Sequence, residues 1–262
     1  MGPTMRDSLS RPASAKDAPG FSDAAHRWAS AGAFAHGADI YDSVRPSYPP
    51  EVTELIDAAR SVVDIGAGTG KLTASLLRDR EVLALDPSPD MTRVLRNRFN
   101  IPVWRATAEA TGLAQDSVDA ATVAQTWHWV DARAACTELD RIIRPGGSVM
   151  LAWNTLDVSH PWILRLARII HSGDIQREGF LPEVHDPWRI ERELRCRWHQ
   201  NLTTDEIFLL AQTRSYWLRS DEKIRGRVAE NLRWYLFDRL GFAPGQLLSI
   251  PYRTDAFLLG RA

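Results

Sequence analysis

Cysteine is scarce in this chain: Cys136 and Cys196 are the only two in 262 residues. They lie far apart in sequence and belong to no metal-ligand pattern. They therefore read as ordinary thiols of a reducing cytoplasm, with no disulfide framework and no metal. No apolar run approaches the ~18–20 residues that a membrane-crossing helix needs, so no membrane partner is expected. Charge of one sign is also missing: 32 Lys and Arg oppose 33 Asp and Glu, for a net charge of −1. A chain so balanced offers no electrostatic footprint for nucleic acid. Residues 1–20 carry Pro, Ser, Ala and mixed charge without an apolar centre, which predicts a disordered tail and not a signal peptide.

What is present begins at Ser61. Ser61 to Val63 and Ile65 read as a short buried strand, broken by Asp64 just before a turn. Gly66, Gly68 and Gly70 follow at alternate positions, and Lys71 to Leu77 has helical spacing. A strand feeding a glycine-rich turn into a helix brings backbone and a helix end close to a ligand. Two nucleotide loops fail on spacing. A phosphate-cradling loop would need glycine at Ile65 and a hydroxyl residue at Leu72. A dinucleotide fingerprint would need its third glycine one residue after Gly70.

A second apolar run, Glu81 to Leu85, ends at Asp86, 20 residues after Gly66. A carboxylate at the end of the second strand can accept hydrogen bonds from both hydroxyls of a ribose. Pro87 to Met91 then opens a helix, capped by Ser88 or Asp90. The rhythm continues through strands at 102–106 and 117–124, a helix from Asp131 to Ile143, a turn at 144–147 and a fifth strand at 148–153. Short apolar strands alternating with helices predict parallel pairing by right-handed crossovers and a sheet covered on both faces. Ligands of such sheets bind beyond the carboxyl ends of the strands, where the residues named above fall.

Asp64-x-Gly66-x-Gly68-x-Gly70, with Asp86 beyond it, resembles the first motifs of class I S-adenosylmethionine-dependent methyltransferases. The specific resemblance covers Ser61 to Asn154. Gln125 to Asp131 and Tyr41-x-x-x-Arg45-Pro46-x-Tyr48-Pro49 look like the type 11 branch that contains trans-aconitate methyltransferase-like enzymes. The resemblance implies S-adenosyl-L-methionine as cofactor and S-adenosyl-L-homocysteine as product. It implies a cofactor site of Asp64, Gly66, Ala67, Gly68, Gly70, Asp86, Met91, Ala108, Glu109 and Gln125. Ala108 and Glu109 would border the adenine, Asp86 the ribose and Gln125 the methionine part. Asp119 matches an acidic position that is structural in the family. The implied fold is α/β: a Rossmann-like, seven-stranded, mostly parallel sheet with helices on both faces and a small helical lid.

The flanks of this core should choose the substrate. Tyr41 and Arg45 are expected in a loop pinned by Pro46, Pro49 and Pro50, ahead of a helix at about 51–59, within an N-terminal segment of residues 21–60. Beyond Asn154, lid helices are expected at about 155–190, ahead of a sixth strand at 192–202, and at about 203–240, between that strand and a last strand at 249–259. The last strand is expected to run antiparallel to the sixth. Ten tryptophans are many for this length, and Trp127 and Trp129 flank His128. In an extended segment the two indoles share one side and the histidine faces the other. Aromatic faces attract a sulfonium, but they serve equally as core.

Methyl transfer is an in-line displacement, and positioning with water excluded is the protein's main task. A carboxylate acceptor needs a cation to orient it, for which Arg45 is the first choice. A hydroxyl acceptor needs a base, for which His128 or Tyr41 would serve. The acceptor site is expected to draw on Tyr41, Arg45, Trp127, His128, Trp129, Asn154 and Tyr216. The reading is a monomeric or homodimeric enzyme that methylates oxygen on a small molecule. Alternatives are C- or N-methylation of a small metabolite, a cofactor-binding protein without chemistry, and a nicotinamide oxidoreductase, which the glycine spacing disfavours.

Overall fold

The computed structural model describes residues 37–173 and 175–262. The expected tail at 1–20, and residues up to 36, lie outside them. Secondary structure starts with two short helices, α1 (Ala38–Val44) and α2 (Pro50–Glu54). Four of the five residues in the run Ser-Val-Val-Asp-Ile then bury themselves as β1 (Ser61–Ile65). A strand whose residues are buried on both faces is the expected form at the centre of a parallel sheet. β1 pairs in parallel with β2 (Glu81–Leu85) on one side and with β4 (Val118–Ala124) on the other. β3 (Val103–Trp104) adds to β2, and β5 (Ile143–Leu156) adds to β4, both in parallel. With β6 (Trp188–Thr203) and β7 (Leu247–Arg261), the sheet has seven strands in the order β3-β2-β1-β4-β5-β7-β6.

The helices between the strands bury one face each. α4 (Pro89–Arg98) starts at Ser88, whose hydroxyl accepts the Met91 N–H at 3.3 Å. The choice between Ser88 and Asp90 as cap thus falls on the serine. α5 (Ala132–Ile142) is capped by Asp131, as expected, and turns Ala135, Cys136, Leu139 and Ile142 inward at helical spacing. α3 (Thr73–Leu76) is shorter than the expected helix at 71–77, because turns occupy the residues after Gly70. A core formed by Val52, Ile56, Val62, Leu72, Leu76, Val82, Ala120 and Met150 ties α2 and the turn after it to the sheet. Each aliphatic side chain as large as valine or leucine contributes about 1.5–3 kcal/mol when fully buried.

The helix expected at about 51–59 ends at Glu54, and further expectations differ from the structure. The third strand is two residues long and not five, because beyond Trp104 the indole N–H reaches forward to the Thr111 carbonyl at 2.7 Å and the chain turns there. The fifth strand begins at Ile143, with the Arg144–Gly147 turn folded into it as an irregularity between Val118 and Ala120. Gly147 permits this: a Cβ there would meet the Asp119 carbonyl oxygen at 2.3 Å. The segment after β4 is not extended. Trp127–Trp129 forms one 3₁₀ turn, closed by Trp129 N–H to the Thr126 carbonyl at 2.7 Å.

The chain divides into two compact units. One holds residues 37–154, 182–196 and 254–262 of the described chain, and with them β1 to β4. The other holds residues 155–181 and 197–253, and is mainly helical. Its helices are α6 (Pro161–Ile169), α7 (Thr204–Gln212), α8 (Ser215–Arg219) and α9 (Glu222–Arg233). Thr203 and Glu206 close a reciprocal cap on α7. The expected helix to residue 240 ends instead in π-type turns over Trp234–Arg239. Among the described residues no helix is long and apolar enough to cross a membrane.

Candidate active site

The glycine loop leaves β1 with Gly66, Gly68 and Gly70 all at positive φ. At Gly66 the reason is local crowding: a Cβ there would stand 2.3 Å from Thr126 Cγ2. Thr126, one residue beyond Gln125, donates its hydroxyl to the Gly66 carbonyl at 3.1 Å and so locks the loop to the end of β4. Gly70 is similarly closed off by Leu95 and Phe99. Gly68 differs, since a Cβ built there meets nothing within 4 Å. The crest of the loop faces open space.

The loop's N–H groups are mostly spent inside the protein. Ala67 donates to the Leu85 carbonyl at 3.0 Å, Gly68 to Asp86 Oδ2 at 2.9 Å and Gly70 to the Ala67 carbonyl at 2.9 Å. A pyrophosphate would need such groups, and a long helix dipole behind them, for itself. Here α3 has four residues. This loop suits a nucleoside held by its sugar better than one held by phosphates.

Two carboxylates organise the loop. Asp64 is buried, and its oxygens accept the hydroxyls of Thr73 at 2.6 Å and Thr122 at 2.9 Å. It therefore staples α3 and β4 around the glycines, and burial pushes its pKa up to about 6. Asp86 receives Gly68 N–H on one oxygen and Ser88 N–H, at 2.8 Å, on the other. Each oxygen still has a lone pair for a sugar hydroxyl. Burial raises this pKa to about 6 as well.

Gln125 adopts φ +54°, uncommon for a residue with a side chain, directly after β4. Its Nε2 donates to the Asn154 carbonyl at 2.5 Å, which turns Oε1 the other way. That oxygen is buried and has no hydrogen-bond partner among the described residues. An orphaned acceptor at the end of β4, next in the sheet to the strand that carries the glycine loop, fits the ammonium end of a nucleoside-linked amino acid. Ala108 is buried in the turn after β3, and Glu109 Oε1 accepts the Asp131 N–H at 2.8 Å. Met91 packs with Ala38 and Val94, and Tyr41 lies against the same cluster.

The residues expected around the acceptor fall into different surroundings. Tyr41 is not in a loop but within α1, with Arg45 at its C-terminal cap and the guanidinium 4.9 Å from the Tyr41 ring centre. Charge pairing explains the helix: Asp39 meets Arg93 on α4 at 2.5 Å, Asp42 pairs with Arg98, and Ala38 N–H reaches Asp90 at 3.0 Å. Trp127 is core, its indole N–H given to the Glu183 carbonyl at 2.8 Å. In the 3₁₀ turn the expected alternation of indoles and imidazole is lost. His128 lies against Trp129, ring centres 4.7 Å apart, and its Nδ1 receives the Trp153 indole N–H at 3.4 Å. Asn154 is a clamp, receiving the Thr254 hydroxyl at 2.6 Å and donating to the Ser47 carbonyl at 3.0 Å. Tyr216 belongs to α8 of the helical unit, where it stacks on His171.

Sequence reasoning missed Thr73, Thr122, Thr126 and Trp153. Only the parallel register gives Trp153 its place: Ala124 pairs with Ala152, which puts the next residue of β5 beside the turn after β4.

A methyltransferase-domain family profile matches residues 63–151. An uncharacterized methyltransferase of Mycobacterium tuberculosis is 40% identical over 227 residues, covering 84% of this chain and 92% of the relative. An uncharacterized methyltransferase-like protein of Schizosaccharomyces pombe is 36% identical over 139 residues, 50% of this chain and 54% of its own. The solved structure of a candidate type II methyltransferase from Anaeromyxobacter dehalogenans superposes with a TM-score of 0.56 at 26% identity, covering 83% of this chain and 97% of that one. The glycine loop, its two carboxylates and these likenesses agree, and the chain belongs to the class I S-adenosylmethionine-dependent methyltransferases.

Proposed function

We propose that this methyltransferase acts on oxygen of a small molecule, and that a carboxylate is the acceptor. The observation that carries the choice is the contact between Trp153 and His128. An indole N–H can only donate, so the 3.4 Å contact favours an imidazole with Nδ1 unprotonated. A neutral ring then carries its proton on Nε2, and His128 presents a donor. A donor orients a carboxylate, which is already ionised at neutral pH. An alcohol or phenol would need a base that this tautomer does not supply at Nε2.

Asp86, the Gly68 crest and Gln125 Oε1 would hold the cofactor's sugar and amino-acid ends, with Ala108, Glu109 and Met91 on the base side. S-adenosylmethionine, when bound, supplies an electrophilic methyl on sulfur. The chain's own work is to orient the acceptor, with Arg45 as cation and His128 as donor, and to keep water out. The free thiols of Cys136 and Cys196 support a cytoplasmic location.

The test has two stages. Calorimetric titration with S-adenosylmethionine, S-adenosylhomocysteine and NAD should show micromolar binding of the first two only. Transfer from methyl-labelled cofactor to a panel of carboxylic acids, phenols, amines and carbon acids should then label the acids. Label found only on nitrogen or carbon would sink the O-methylation reading while leaving the cofactor class intact.

A further inference from the structure

Near its end β5 carries two successive residues whose side chains leave on opposite faces of the sheet. Trp153 meets His128, whereas Asn154 points the other way and is buried. A buried primary amide has to place its donors and its acceptor, because leaving them unmade is costly. Here chemistry forces the placement. The Ser47 carbonyl can only accept, so the Asn154 side-chain nitrogen faces it at 3.0 Å. The amide oxygen then faces the Thr254 hydroxyl, which donates at 2.6 Å.

The main chain of the same residue serves the cofactor side. Its carbonyl oxygen accepts Gln125 Nε2 at 2.5 Å, and the Gln125 N–H is held by the Ala152 carbonyl at 2.8 Å. Gln125 thus takes its direction from the backbone of β5 and not from the Asn154 amide. A substitution at residue 154 can remove the side-chain bonds and leave that backbone oxygen in place. Mutation can therefore separate the two tasks of this residue.

What the amide holds is the link between α1 and α2, residues 45–49. Pro46 and Pro49 have no N–H to give, so this link can build little hydrogen bonding of its own. The Arg45 N–H closes α1 on the Tyr41 carbonyl at 3.0 Å, and the Val52 N–H reaches back to the Pro49 carbonyl at 3.1 Å. Between these two bonds Ser47 is exposed, yet its carbonyl is tied to a strand residue 107 positions away. Pro46 restricts its own backbone and that of Arg45 before it. A shift of the Ser47 peptide is therefore passed on to Arg45.

We propose that Asn154 is a positioning residue for methyl transfer: its amide, oriented by Thr254, pins the Ser47 carbonyl and thereby aims Arg45 at the acceptor. The inference rests on the reading of Arg45 as the acceptor's cation. Asn154 acts through Arg45 and needs no contact with the acceptor itself.

The experiment uses the full chain saturated with S-adenosylhomocysteine and reads hydrogen exchange at the Arg45, Ser47 and Tyr48 amides. Asn154→Asp keeps the shape and the acceptor for Thr254 but loses the donor to Ser47, and should speed exchange there by about tenfold. Thr254→Val should speed it less, and Thr254→Ser should match the parent. S-adenosylhomocysteine affinity should stay within about threefold of the parent in all three, which also controls for folding. A second arm follows methyl transfer from labelled S-adenosylmethionine to the best acceptor of the panel above. Asn154→Asp should raise the acceptor KM by about tenfold with kcat within about threefold, and should add less than about twofold in an Arg45→Ala background. Four results would each overturn the proposal: unchanged exchange in Asn154→Asp, a loss of cofactor affinity there as large as the exchange effect, Thr254→Ser behaving like Thr254→Val, or a KM effect that adds in full to that of Arg45→Ala. The same KM split on a nitrogen or carbon acceptor would support the role of Asn154 and sink only the oxygen reading. With no acceptor labelled, exchange and affinity decide alone.

Discussion

Asp86 Oδ2 accepts the Gly68 N–H at 2.9 Å, so the carboxylate that ends β2 holds the crest of the loop that ends β1. One group thereby shapes the glycine turn and offers its remaining lone pairs to a sugar. Its pKa, raised to about 6 by burial, makes both roles depend on pH.

Ribose hydroxyls donate to the ionised form of Asp86. Affinity for S-adenosylhomocysteine should therefore be flat above about pH 7 and fall by up to about tenfold per unit below pH 6. Asp86→Asn should bind weakly at every pH and lose that slope. Calorimetry between about pH 5 and 8 reads both. A parent profile without slope would mean that the carboxylate does not meet the sugar.

Stability of the ligand-free protein should run the other way over the same range. Asp64 and Asp86 have folded pKa values of about 6, raised from 3.8, so the folded state holds protons that the unfolded chain has released. Their contribution rises as pH falls from about 6 to 4. Asp119 has the opposite sign. The Ser61 and Arg60 N–H groups and Arg144 hold its pKa down to about 2. That contribution is full above about pH 4 and is lost as pH falls toward 2. Thermal melts across pH should show a maximum at about pH 4 from these groups, and Asp119→Asn should blunt the acid-side loss.

Alanine at two loop glycines should separate folding from binding. Gly66→Ala drives a Cβ into Thr126 and should destabilise the protein by about 2 kcal/mol or more. Gly68→Ala meets no protein atom, so it should cost only the ~1 kcal/mol of a left-handed alanine yet still abolish cofactor binding. Denaturant melts and titration together decide. Normal cofactor affinity in Gly68→Ala would mean that the open crest is not the binding face.

His128→Gln should retain a substantial part of turnover, because an amide N–H can stand in for an imidazole N–H, while His128→Ala should lose it. If His128 were a base, the two variants would fail alike. Arg45→Ala should keep cofactor affinity and raise the acceptor KM, which a kcat and KM comparison measures.

The seven-stranded α/β frame, the strand–glycine–helix unit, the acid at residue 86 and the cap at Asp131 were legible in the chain itself. Their signals are local: apolar runs, glycines at fixed spacing, and a hydroxyl or acid one turn before a helix. The acceptor side was not legible, because its geometry depends on partners far apart in sequence. A tyrosine and an arginine expected in a loop became a helix once Asp39 and Asp42 met the arginines of α4. A Trp-His-Trp run expected to alternate coiled into a 3₁₀ turn, sending Trp127 to the core and turning His128 toward Trp153. Asn154 became a clamp because Ser47 and Thr254 flank it, 107 and 100 residues away. Local spacing determined which cofactor class the loop suits. Long-range packing decided which nitrogen of His128 faces the Trp153 indole, and that choice no single stretch of sequence contains.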